Sequence, residues 1–465
     1  MKFVFCSVFA VFFSCYCYSQ GNNYLLHLEA QTSAISDSQV PFWLRSNQYG
    51  SVPLSGLSAS FLARAQKNYD STSKFFDVGA AVEARANLGK ETRLLLIEGY
   101  GKIKLGVFEI KGGRMKESFG LTDTLLSTGN FAISGNSLGI PKIQLSIPEF
   151  TYIPFLKKVL AVKGVYAQGW VGTVPIQNKR VTEAVTYFHQ KAIYFRLGQP
   201  NWRLKLYGGF ADQVFYGNEA KIFESFILTD WQKYRSVVFG KNWAFSKVGN
   251  HAGNIDIRLE YTFPTFLMSV YRQNFYEVGA LYHLANIADG ITGLSIVNRK
   301  TEAKKFFWKR FVFEFLYTKN QAGERWSKPT PTGNEDYHNH YLYQEGWSYR
   351  QANLGTPFIT PAYLARADLP SEATNYFINN RVSVFHIGSQ FRFLNCDFMN
   401  KFSYSTNFGT HQTRRTFPTV NQFSGYMEAH RDLRKGYNVG VVAALDAGKL
   451  LYNTSGVIFS VSKRF

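Results

Sequence analysis

The sequence predicts an all-β protein, a transmembrane antiparallel β-barrel of about 18 strands (16 being the nearest even alternative), with short helices or loops plugging its lumen. Three observations predict it. Apolar residues alternate with charged ones along many segments; the N-terminus has the form of an export signal with no membrane helix after it; and the connections are alternately short and long.

The alternation is clearest over 253–263. Ile255, Ile257, Leu259, Tyr261 and Phe263 face one way, while Asn254, Asp256, Arg258, Glu260 and Thr262 face the other. Consecutive charges on the second face need water or one another, so that face is not a dry core. Trp202, Leu204, Leu206 and Phe210 alternate in the same way with Arg203, Lys205 and Tyr207. Ile193, Phe195 and Leu197 alternate with Tyr194 and Arg196, and Phe311, Phe313, Phe315 and Tyr317 with Arg310 and Glu314. Lipid outside and a wet lumen inside select this pattern. The last segment repeats it: Val457, Phe459, Val461 and Phe465 share one face, and Ser460, Ser462 and Arg464 the other. Lys463 interrupts the apolar row at a position where a lysine can snorkel to the membrane interface.

At the other end, Lys2 precedes an apolar run from Phe3 to Phe13 and then small residues at Cys17 and Ser19. This run is too short to span a bilayer and fits a signal peptide at 1–19, with Gln20 as the mature N-terminus. Acylation at Cys15 would need a small residue where Phe13 stands. The leader takes Cys6, Cys15 and Cys17 with it, so Cys396 alone remains and no intramolecular disulfide is possible. Aromatics make up 17% of the chain, with 42 Phe and 28 Tyr, yet no stretch of the mature sequence approaches the roughly 20 apolar residues of a membrane helix. The remainder, 20–465, has no Pro/Gly/Ser-rich linker and is expected to be one outer-membrane barrel.

Taken backward from Phe465, strands are expected near 453–465, 436–447, 420–431, 399–410, 381–394, 306–320, 289–298, 265–276, 253–263, 201–211, 188–198 and 157–170. Upstream, further strands fall near 138–147, 106–115, 92–104, 74–88, 57–67 and 24–33. If the last strand ends in the periplasm, the turns at Gln199-Pro200, Phe263-Pro264-Thr265, Asn395-Cys396-Asp397 and Arg434-Lys435-Gly436 are periplasmic. The connections 171–187, 277–288 and 411–419 then lie outside, as do the two longest, near 212–252 and 321–380. Short inside and long outside is the asymmetry of bacterial barrels. The mixed periodicity of 148–160 and 218–235 is compatible with helices that cap or plug the lumen.

Several blocks, taken in order, resemble one family. They are Gly113-Arg114-Met115-Lys116, then Leu126 through Asn136 and on to Gly139-Ile140-Pro141-Lys142-Ile143, then His189-Gln190-Lys191. Gly249 through Asp256 and Asn286-Ile287-Ala288-Asp289-Gly290 follow. The long loop adds Asp336-Tyr337-His338-Asn339-His340, Gly346 through Arg350 and Leu354 through Phe358. Together they resemble the Bacteroidetes branch of the Wzi capsule-assembly proteins, and the pattern is departed from at His338 and His340. The resemblance implies an outer-membrane lectin with a blocked lumen that holds capsular or other exported polysaccharide at the cell surface. A general or sugar-selective porin with an open lumen is the alternative.

The residues themselves are compatible with a glycan binder. The formal charge of +20 creates a field that attracts acidic polysaccharide, although basic walls can equally balance lumenal carboxylates or meet lipopolysaccharide phosphates. The 321–380 connection is far too long for a mere link and is the expected site. Its candidate glycan-binding residues are Trp326, Tyr337, His338 and Asn339, followed by His340, Trp347, Tyr349 and Arg350. Aromatic rings stack on the C–H faces of sugars, and amide and guanidinium groups bond their hydroxyls. The same aromatics could instead pack the loop into the barrel mouth, and both roles can coexist. His338 and His340 beside Asp336 raise a metal pair, but no third ligand is evident, and no metal or other cofactor is expected. Neither a Gly-x-Ser-x-Gly elbow, a His-Glu-x-x-His pair nor a phosphate-binding glycine loop is present, so no catalytic residues are expected. The expected partners are polysaccharide, outer-membrane lipid and the barrel-assembly machinery through the strand ending at Phe465. Nucleic acid is not among them, since the export signal opposes it.

Overall fold

The computed structural model describes residues 23–465 apart from 38, 55, 74, 178–180, 218, 244–245, 301–304, 325–329, 331–333, 373–374 and 412–415. The leader at 1–19 and the candidate Trp326 lie outside the described residues.

Eighteen strands form one sheet. In chain order they begin with β1 Tyr24–Ile35, β2 Ser58–Lys67, β3 Phe76–Gly89, β4 Arg93–Leu105, β5 Phe108–Arg114 and β6 Lys142–Tyr152. Next come β7 Leu160–Pro175, β8 Glu183–Leu197, β9 Leu204–Tyr216, β10 Asn250–Thr262, β11 Phe266–Tyr276 and β12 Gly290–Asn298. The last six are β13 Phe306–Tyr317, β14 Val382–Phe393, β15 Cys396–Asn407, β16 Val420–Asp432, β17 Tyr437–Gly448 and β18 Thr454–Arg464. Each pairs antiparallel with its neighbours in sequence, and β18 pairs with β1 in the register Thr32↔Phe459. The sheet therefore closes, and a closed sheet leaves no backbone edge unsatisfied in lipid. No described helix is long and apolar enough to cross a membrane.

The wall follows the alternation read from the sequence. In β10, Ile255, Ile257 and Leu259 are exposed on the outside, while Asn254 and Asp256 are buried within. Outward aromatics gather at one end of the barrel, where Phe263 stacks on Phe266 at 4.4 Å and Phe391 on Phe398 at 5.0 Å. Such clusters suit the interfacial girdle of a membrane barrel. This end, the turn rim, carries short connections such as 263–265 and 394–395. The opposite end, the loop rim, carries 36–57, 115–141, 217–249, 277–289 and 318–381.

Two expectations need correction. Segment 148–160 is not a helix: β6 continues to Tyr152, and a single short turn at Pro154–Leu156 joins it to β7. The connection expected over 171–187 shrinks to 176–182, because β7 and β8 extend beyond the rim on both sides. The expectation of helix within 218–235 is met by α2 Glu219–Ile222 and by α3 Asp230–Phe239, where a Thr229–Gln232 capping box starts the helix and Gly240 ends it.

Three loop-rim segments, 36–57, 115–141 and 334–380, fill the lumen. The first contains α1 Phe42–Arg45. Phe42, Trp43, Phe131, Tyr337, Trp347 and Phe358 are buried in one apolar core. Phe42 meets Phe358 at 4.7 Å, and Phe131 stacks on Phe275 of the wall at 4.4 Å. Lumenal wall residues hold the plug by its backbone. Glu314 accepts from Thr128 N at 2.6 Å, Gln273 from Phe131 N at 2.9 Å and Asp446 from Phe42 N at 2.7 Å. Each of these bonds satisfies a buried amide that water cannot reach.

Cross-strand pairs make room for the wall's own rings. Tyr271 lies opposite Gly293, and a Cβ on that glycine would fall 2.3 Å from the tyrosine ring. The ring passes over the bare backbone, and its hydroxyl donates to Glu314 at 2.6 Å. One glycine thus positions the carboxylate that tethers the plug.

Candidate functional site

Above the plug, the loop rim opens into a cleft of about 400 Å³ between the 334–341 segment and the ends of β10 and β11. Its anchor is Glu335. Fully buried, its carboxylate accepts four successive backbone amides, from Glu277 at 2.8 Å, Val278 at 2.7 Å, Gly279 at 3.1 Å and Ala280 at 2.9 Å. The reciprocal contact runs from His338 N to the Glu277 carboxyl at 2.5 Å. Burial, reinforced by Glu335, pushes Glu277 well above the usual carboxylate range.

The candidate residues divide between packing and cleft. Tyr337 is buried, donating to Asp289 Oδ2 at 2.8 Å and accepting from Asn286 at 2.8 Å. His338 is buried with Nε2 3.0 Å from the Phe131 carbonyl. Trp347 is buried against Phe215 at 4.4 Å and donates its indole N–H to Ala132 O at 2.8 Å. Tyr349 is buried, with Arg114 donating to its hydroxyl at 3.3 Å. These four are buried in the plug and do not line the cleft. Arg350 is exposed, at the edge of a second, smaller cleft.

Asn339 and His340 line the main cleft. Asn339 pairs with the backbone of Phe377, donating to its carbonyl at 3.0 Å and accepting its amide at 3.0 Å. His340 Nδ1 accepts the amide of Leu342 at 3.2 Å, which leaves its proton on Nε2. Burial pushes His340 down to about 3 and His338 likewise to about 3, so both are neutral at physiological pH. The chain turns at His338, whose φ is 69°, and the two rings part: one meets Phe131, the other Tyr341 and Tyr343. Among the described residues no group of three His, Cys, Asp or Glu is placed to hold a metal ion.

Residues outside the candidate set complete the cleft. Tyr341, 64% exposed, stands at the mouth with its ring 4.6 Å from His340. Lys247 extends over the Tyr276 ring at 5.1 Å. His251 is fixed with Nδ1 3.1 Å from Asp212 and Nε2 3.1 Å from Val248 O. Spacing alone gives no reason to join Lys247 and His251 to a loop some ninety residues later. The ring-rich, amide-rich, cation-bearing wall suits a polyhydroxylated ligand: a face to stack on, donors for hydroxyls, and a positive edge.

Residues 27–362, well over half the chain, match the family model described as capsule assembly protein Wzi. The chain belongs to the Wzi family. Among solved structures it is similar to Wzi from Escherichia coli, described as an outer-membrane protein involved in group 1 capsule assembly and a carbohydrate-binding β-barrel. The TM-score is 0.56 at 10% identity, over 94% of this chain and 83% of that one, a likeness of fold. OccAB4 of Acinetobacter baumannii (TM-score 0.47, 9% identity, 97% and 100% covered) and OpdQ of Pseudomonas aeruginosa (0.48, 9%, 95% and 98%) are further barrels in this range. No curated protein matches the chain in sequence. This Wzi-family chain is accordingly an outer-membrane β-barrel, and the blocks that carried the family resemblance meet in space. His338 meets the Phe131 carbonyl, Asn286 joins Tyr337, and Trp347 donates to Ala132 O.

Proposed function

We propose that the protein is an outer-membrane lectin of capsule or exopolysaccharide assembly, binding polysaccharide at the loop rim and retaining it at the cell surface without turning it over. One observation carries the reading. The lumen is filled by a core tethered to the wall, while a polar and aromatic cleft opens above it. A plug held by Glu314, Gln273 and Asp446 suits a holding surface better than a conduit. The description of Escherichia coli Wzi as a carbohydrate-binding barrel in capsule assembly supports the same function here.

In this reading Tyr341 is the stacking platform, His340 and Asn339 offer polar groups beside it, and Lys247 supplies the positive edge. Tyr337, His338, Trp347 and Tyr349 pack the plug from which the cleft-lining segment rises. Outer-membrane lipid and lipopolysaccharide surround the apolar exterior, residues 1–19 act as the cleaved signal, and the barrel-assembly machinery engages the strand ending at Phe465.

The test is Tyr341→Ala with His340→Ala. Tyr341 is largely exposed, so the double variant assembles normally. Loss of the stacking face, about 1 kcal/mol or more, weakens binding of the producing strain's own polysaccharide at least fivefold in co-precipitation. Unchanged retention on cells and in co-precipitation would place the site elsewhere.

A further inference from the structure

The smaller cleft, about 140 Å³, lies on the loop rim between α1, the start of β4 and the hairpin that pairs Ser348 with Asn353 and Tyr349 with Ala352. Its chemistry differs from that of the main cleft. Arg45, Arg93 and Arg350 all line it, and no carboxylate does. Arg45 and Arg350 make no hydrogen bond or ion pair with any described residue, and Arg93 makes one long contact, 3.5 Å to Gly50 O. Three guanidinium groups around one hollow, with Asp446 in electrostatic reach of Arg45, repel one another and favour an added negative group.

Each arginine is held from behind. Arg45 ends α1, whose first amide is tied to Asp446 at 2.7 Å, and its guanidinium lies over the Phe42 ring at 5.5 Å. Asp446 lies within electrostatic reach of Arg45 and also accepts from Phe42 N and from Ser424 Oγ at 2.6 Å. Arg350 occupies the tip of a two-residue turn with Gln351, both at positive φ. The carbonyl of Gln351 accepts the hydroxyls of Tyr363 at 2.9 Å and Tyr376 at 2.7 Å, which fix the tip. Arg93 begins a wall strand. Asn136 and Asn353 also line the hollow, their amides spent on Gly355 O and on Thr356 O and Ile359 O within the plug. A guanidinium presents a planar fork matched to two oxygens of one anion, and pre-ordered backbones lower the entropy lost in using it.

We infer that this arginine-lined cleft is an anion subsite that takes a carboxylate-bearing sugar residue of the bound polysaccharide. The inference rests on the lectin reading and adds a substrate class to it: an acidic glycan, gripped by its charged residue at Arg45, Arg93 and Arg350 while neutral residues occupy the main cleft. Uronates fit better than lipid phosphate because the hollow is walled by plug segments rather than by the outward face of the barrel.

The experiment uses the full barrel in detergent, with tri-galacturonate and its methyl ester as probes at low and at moderate salt. The variant is Arg93→Gln with Arg350→Gln; both side chains are exposed, so folding is preserved. Lys221→Gln with Lys241→Gln, exposed and away from the cleft, removes equal charge as control. The wild type and the lysine control are expected to bind the acid at least tenfold more tightly than the ester, and the arginine variant to lose that preference. Equal binding of acid and ester by the wild type, or equal loss in the lysine control, would overturn the subsite and leave the lectin reading intact. Acid preference at the arginines in a protein that retains no polysaccharide on cells would instead remove the lectin reading and leave an anion site. Lipopolysaccharide displacing the acid only from the wild type would identify lipid phosphate as the occupant and refute the glycan assignment.

Discussion

Asp289 is where the plug meets solution conditions. It accepts Asn320 N at 2.9 Å, Gln321 N at 2.7 Å and the Tyr337 hydroxyl at 2.8 Å. Burial nonetheless pushes it up to about 6. A carboxyl whose folded value exceeds its unfolded one stabilises the fold fully below the unfolded value, near 3.8, and loses that contribution as pH rises through about 6. Between pH 5 and 8 the loss comes to about 1.4 kcal/mol, or tenfold in local opening. Amide exchange at Asn320 and Gln321, corrected for its intrinsic pH dependence, should therefore show tenfold more opening at pH 8. Asp289→Asn should flatten the difference, and a flat profile in the wild type would contradict it. At this scale the sequence singled out an aromatic loop without showing which way its residues face. Tyr337, Trp347 and Tyr341 are equally aromatic and lie within eleven positions, yet two are buried and one is surface. An irregular loop has no period from which to read its inner side.

Among elements, the strands were legible and the plug was not, for one physical reason. A strand between lipid and lumen must alternate, so its two faces are written at period two. All 18 expected strands are found, some displaced by a few residues at their ends. Helix α1 has four residues, too few for a periodic signal, and the 36–57 segment around it drew no expectation. Segment 148–160 misled because its apolar residues belong to the end of β6 and a turn. The wall and plug are also coupled through single positions. Gly293→Ala drives a methyl into Tyr271 and withdraws its hydroxyl from Glu314, loosening Thr128. Overpacking of this kind costs about 1–3 kcal/mol. Trp347→Ala leaves a void in the core and costs about 3–5 kcal/mol. Thermal unfolding in detergent should fall for both, with the barrel still migrating as a folded species on unheated gels. An unchanged transition for Trp347→Ala would mean that the 334–380 segment does not pack as described.

For the molecule as a whole, the plug makes a prediction about conduction. A lumen filled by buried aromatics, with backbone tethers on several strands, opposes bulk conduction through its centre. In planar bilayers the purified barrel should give no large, steady single-channel steps. Regular large steps would show an open bore and restore the porin alternative. The family match and the fold likeness to Escherichia coli Wzi concern this whole; the proposed sugar contacts depend on how few residues of one loop turn outward.

Segment 115–141 leaves the wall after β5, yet its tethers are Asp256, Gln273, Glu314 and His386, on strands synthesised more than a hundred residues later. The seam between β1 and β18 can be stitched only when both ends of the polypeptide are present. The stopper cannot be inserted into a finished bottle; the glass has to be blown around it. A nascent chain interrupted midway is thus left with an unseated cork and two raw margins, a substrate for periplasmic proteolysis rather than a smaller working barrel.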